Sequence, residues 1–115
     1  MKEDKTLFLI LKRKWFDMIL SGIKKEEYRE LTPYWYNRLM YGEHRERNSF
    51  ASYIHYTEFK KFDTVTFQLG YQKDAPRIVC EYLNTSIGYG KIEWGATNEC
   101  FIISLGKILE TKNIK

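Results

Sequence analysis

Between Leu11 and Trp15 the spacing of the apolar residues changes, and that change limits the folds open to this chain. Leu7-Phe8-Leu9-Ile10-Leu11 is an unbroken apolar run, the pattern of a strand buried on both faces or lining a closed barrel. After the basic residues Lys12, Arg13 and Lys14, the positions Trp15, Phe16, Ile19 and Leu20 fall on one helical stripe with Asp17 and Ser21 opposite. Gly22 stands where a left-handed residue would stop that helix. Lys25 to Glu30 then alternates, which puts Glu27 and Arg29 on one face of an extended segment and Glu26, Tyr28 and Glu30 on the other. Thr32 as cap and Pro33 in the first turn predict a second helix, whose stripe of Trp35, Tyr36, Leu39 and Met40 runs up to Gly42.

Two helices so early leave the remainder to strands. Thr64–Leu69 alternates and ends at Gly70, Arg77–Leu83 is a further strand, Gly88 and Gly90 bracket a predicted tight turn, Ile92–Trp94 is short and extended, and Cys100–Leu105 is the last apolar strand. Residues 41–61 show little periodicity and are predicted as a loop insertion with a short helical turn near Tyr53. At 115 residues, 43% hydrophobic and 17% aromatic, the chain has length and apolar content for one core. The expected architecture is a single α+β domain, residues 1–115, with its core at about 6–109 and a frayed tail at 110–115. Its curled mixed sheet closes towards a barrel flanked by the helices.

Lys and Arg outnumber Asp and Glu by 19 to 15, a formal charge of +4 that permits an anionic partner without demanding one. Cys80 and Cys100 each sit in an apolar run and read as buried thiols, and no Cys-x-x-Cys or His-Cys cluster offers metal-ligand spacing. No metal or cofactor is therefore expected. The first residues are charged, and no stretch approaches the ~20 apolar residues that cross a bilayer. No membrane partner is expected, and the cytoplasm is the expected compartment.

The chemistry concentrates at the first helix end. Lys24, Glu27 and Arg29 bring two cations and a carboxylate to a helix-to-strand junction, a place from which side chains project into clefts. Glu81 is the one charge in Ile78-Val79-Cys80-Glu81-Tyr82-Leu83, and burying a carboxylate requires a partner, for which Lys24 and Arg29 are candidates. Tyr28, Tyr71 and Trp94 are candidate stacking surfaces for a base, beside Lys24 and Arg29 for a phosphate and Glu27 for a base edge.

Gly22-x-Lys24-x-x-Glu27-x-Arg29, followed by Pro-Tyr-Trp-Tyr-Asn-Arg-Leu, Phe-Asp-Thr-Val-Thr-Phe-Gln-Leu-Gly-Tyr and Glu93-Trp94-Gly95-Ala96, resembles the ASCH domains of the PUA-like superfamily from about Leu7 to Leu109. The resemblance implies a small β-barrel with flanking helices and a polar cleft that binds RNA, a nucleotide or a modified nucleoside. It also implies an alternative, an amidohydrolase of N4-acylated cytidine-type nucleosides, with Lys24, Glu27 and Glu81 as its catalytic residues. Glu27 stands there where that chemistry uses a threonine nucleophile, and Leu69 where close relatives carry asparagine. Ribonuclease activity, or a protein-interaction role for residues 41–61, are the further alternatives.

Overall fold

The computed structural model describes residues 5–44 and 54–114, the side chains of 43, 44, 54 and 55 excepted. Strand β1 (Thr6–Leu11) leads into helix α1 (Arg13–Leu20), strand β2 (Glu26–Glu30), helix α2 (Pro33–Leu39) and strands β3 (Met40–His44), β4 (Ile54–Phe59), β5 (Thr64–Leu69), β6 (Arg77–Tyr89) and β7 (Glu99–Lys112). Five strands form one curled mixed sheet in the order β1-β5-β6-β7-β2, and β3 and β4 form a separate antiparallel pair. Among the described strands only β1 and β5 run parallel, Thr6 to Leu11 matching Thr64 to Leu69 in register. The chain is an α+β protein with a half-barrel sheet whose two edge strands, β1 and β2, are not hydrogen-bonded to each other. No helix among the described residues is long and apolar enough to cross a membrane.

The core follows from the alternations. Leu7, Leu9 and Leu11 of β1, Val65 and Phe67 of β5, Ile78 and Cys80 of β6, and Phe101 and Ile103 of β7 point into one cluster, covered by Phe16 and Ile19 of α1. Tyr36 of α2 and Phe59 of β4 meet Phe101 edge-on, at 4.9 and 6.4 Å between ring centres. Both cysteines are free and buried, Cys80 within this core, where burial pushes its thiol up to about 11.

Local signals placed the helix ends. Thr32 accepts the Trp35 amide, and Pro33 sits in the first turn of α2. Gly22 adopts φ 85°, and the amides of Ile23 and Lys24 both return to the Met18 carbonyl, which turns the chain sharply and sends Lys24 inward.

Other expectations are corrected. β1 is not buried on both faces: Phe8 is 36% exposed and Ile10 half-buried, because β1 is an edge strand whose outer side faces a cleft. The second helix stops at Leu39, one residue short of Met40, where the chain enters β3. The segment expected as a loop, 41–61, contributes β3 and β4, anchored by the Lys60 amide on the Leu39 carbonyl and by Tyr36 against Tyr56. The helical turn expected near Tyr53 lies outside the described residues. Gly88 is inside β6 rather than at a turn, Ile92–Trp94 is a 3-10 turn rather than extended, and β7 continues to Lys112, through part of the expected tail.

Candidate functional site

The unpaired edges of β1 and β2 face each other across a cleft of about 890 Å³, floored by residues 8–11 and 27–30 and walled by α2, Tyr71 and the Trp94-Gly95 turn. An unpaired strand edge exposes a row of carbonyls and amides that need partners. Here arginines supply them. Arg29 Nη2 donates to the Ile10 carbonyl at 3.2 Å, and Arg38 Nη2, from α2, donates to the Phe8 carbonyl at 3.3 Å.

The motif residues form one buried charge chain. Glu27 and Arg29 share a face of β2, as period-two alternation requires, and Arg29 Nη1 donates to Glu27 Oε2 and, at 2.9 Å, to the Tyr28 carbonyl. The other Glu27 oxygen meets Lys24 Nζ at 3.2 Å. Lys24 and Glu27 are 1% and 4% exposed, so the carboxylate is saturated by two cations in a dry setting. Lys24 lies behind the cleft rather than in it. Its Nζ donates to the Trp94 carbonyl at 2.7 Å and rests over the Tyr28 and Trp15 rings. Burial holds its ammonium below the ordinary lysine pKa, opposed by the Glu27 charge.

Tyr28 is a brace. Its hydroxyl donates to Glu26 at 2.7 Å and accepts the Lys91 amide at 2.9 Å, and burial raises its pKa above the usual tyrosine value. Lys24 and Tyr28 together therefore fix the 91–96 turn and with it Trp94, which lines the cleft under a Lys91 ammonium 4.3 Å from its ring centre. Tyr71 stands on the rim, 86% exposed.

Glu81 is not brought to this site. It does not line the cleft, and among the described residues neither Lys24 nor Arg29 reaches it. Its carboxylate accepts the Lys107 amide at 3.0 Å and lies over Gly106, where any Cβ would sit 2.5 Å from Oε1. The β6–β7 register is irregular here, and Glu81 satisfies a backbone amide beside the irregularity. Glu81→Ala is expected to cost about 1 kcal/mol of stability, as one lost hydrogen bond, and to leave ligand binding in the cleft unchanged. Chemical denaturation and a binding titration on the same sample check both.

Sequence reasoning missed Arg38 and Trp35. Arg38 Nη1 donates to the Tyr34 hydroxyl at 3.0 Å, an i,i+4 pair on one helix face, and that spacing was the available signal. The Trp35 ring lies 5.1 Å from the Arg29 guanidinium and 5.5 Å from that of Arg38. All three tryptophans of the chain, Trp15, Trp35 and Trp94, line this one cleft. No protein-family model matches the chain, and neither a curated protein nor a solved structure matches it.

Proposed function

We propose that the chain is an ASCH-type, PUA-like domain that binds RNA or a nucleotide in the cleft between β1 and β2. One observation carries the reading: among the described residues the open seam of the half-barrel is lined by Lys12, Arg29 and Arg38 together with aromatic rings, against only Glu27 and Glu30. Lys24 behind the floor adds a further buried cation next to Glu27. Cations beside exposed aromatic faces suit a phosphate chain carrying stackable bases. The amidohydrolase alternative finds less support. Both Glu27 oxygens are held by cations, Lys24 is sealed from solvent, and Glu81 is committed to the Lys107 amide. That leaves the three residues without a shared reacting point.

Because every tryptophan lines the cleft, intrinsic fluorescence reports on its occupancy. Titration with a single-stranded oligoribonucleotide is expected to quench the emission, with affinity falling steeply between about 50 and 200 mM salt. Lys12 is exposed on the cleft rim, and Lys12→Ala is expected to reduce the slope of log K against log salt by about 0.7. Unchanged emission at millimolar oligonucleotide, or binding insensitive to salt, would sink the reading.

A further inference from the structure

Arg29 and Arg38 are stationed side by side by the strand they cap. The Phe8 and Ile10 carbonyls are two residues apart on the same edge of β1, a separation of roughly 6.6 Å, and each is taken by one guanidinium. Both guanidiniums also lie against the Trp35 ring, one from β2 and one from α2. A guanidinium carries five N–H groups. Arg29 commits three, to Glu27 and to the Tyr28 and Ile10 carbonyls. Arg38 commits two, to Tyr34 and to the Phe8 carbonyl. Among the described residues the Nε–H of each has no acceptor, so each arginine keeps N–H groups for a ligand in the cleft that both line.

Two neighbouring like charges repel, and among the described residues the carboxylate paired with them, Glu27, meets Arg29 alone and is shared with Lys24. An anion between the guanidiniums offsets that repulsion. Two guanidiniums that each bind through paired N–H groups call for more acceptor atoms than the two non-bridging oxygens of a phosphodiester. A phosphomonoester offers three terminal oxygens and a charge of about −1.5 to −2 near neutral pH. We infer that Arg29 and Arg38 straddle a terminal phosphomonoester, so that the cleft selects nucleotides or RNA ends bearing a free phosphate over neutral nucleosides and unphosphorylated ends. This rests on the nucleotide reading of the cleft and names its ligand class.

The test titrates the full chain, by tryptophan fluorescence, with one short oligoribonucleotide in three forms: unphosphorylated, 5′-phosphorylated and 3′-phosphorylated. Cytidine and cytidine monophosphate form a second pair. A terminal phosphate is expected to tighten binding about tenfold or more, as charge-assisted hydrogen bonds convert to affinity. The advantage should shrink at about pH 5, where the monoester dianion takes up one proton and becomes a monoanion. Arg38→Lys keeps the charge but loses the planar fork, and is expected to cut the ratio of phosphorylated to unphosphorylated affinity several-fold. Its melting temperature identifies any variant that has failed to fold, and Arg38→Gln then supplies the same ratio. Equal affinity of the phosphorylated and unphosphorylated forms overturns the phosphate assignment while leaving the cleft a nucleic-acid site. Failure of every probe to bind overturns both.

Discussion

Glu27→Gln is expected to lower the stability of the protein by about 3–5 kcal/mol, a fall in melting temperature of about 12–20 °C for a chain of this size. The substitution preserves shape, so the loss is one of charge. It leaves the Lys24 ammonium, 1% exposed, without an opposite charge among the described residues, facing neutral acceptors such as the Trp94 carbonyl and two aromatic faces. Lys24→Met removes the other partner and should cost less, about 1–2 kcal/mol, because Glu27 then still faces Arg29, which is only partly buried. The double variant should be less destabilised than the two losses summed, since the second change removes the ion that the first left unpaired.

The pH dependence has a definite sign. Burial already depresses the Lys24 pKa below 10.5, and Glu27 opposes that depression. Without Glu27 the folded-state value falls further. Between that value and 10.5 the unfolded chain binds more protons than the folded one, so stability rises with pH across that window. The deficit of Glu27→Gln relative to the parent is therefore expected to be smaller at about pH 9.5 than at pH 7, as the stranded lysine sheds its proton on folding. Thermal melts at both pH values decide it. A Glu27→Gln loss no larger than that of Lys24→Met would mean that Lys24 finds another partner.

These roles explain which parts of the site were legible in the sequence. The Gly22 turn, the Thr32 cap and the shared face of Glu27 and Arg29 depend on neighbours within a few residues, so spacing alone located them. Arg38 escaped because its second partner is a main-chain carbonyl thirty residues away on β1, and no side-chain pattern encodes an unpaired strand edge. Glu81 reads in the sequence as a carboxylate in need of a partner, and that partner is the Lys107 amide, beside the irregular register of β6 and β7. The 3-10 turn at Ile92–Trp94 follows from contacts with Lys24 and Tyr28, made across the sheet. The long β6 and β7 strands run through residues that read locally as turn and tail, because each supports the other's pairing from Arg77–Lys112 to Tyr89–Glu99.

Gly88 and Gly90 put this distinction to a test, because they look alike in sequence and differ in surroundings. A Cβ on Gly88 would meet nothing nearer than Ile102 Cδ1 at 3.6 Å, an ordinary contact, within a strand. Gly88→Ala is therefore expected to be neutral or to stabilise by up to about 1 kcal/mol, by narrowing the unfolded ensemble. A Cβ on Gly90 would lie 2.3 Å from Tyr28 Cε1 and 2.4 Å from Cζ. The ring has little room to yield, because its hydroxyl is held by Glu26 on one side and the Lys91 amide on the other. Gly90→Ala should therefore cost about 1–3 kcal/mol and displace the turn that carries Trp94, weakening ligand binding and shifting tryptophan emission together. Trimming the ring relieves the clash, so adding Tyr28→Ala to Gly90→Ala should cost less than the same change in the parent. Equal effects at the two glycines, or strict additivity of Gly90→Ala with Tyr28→Ala, would refute Tyr28 as the post against which the 91–96 turn is set.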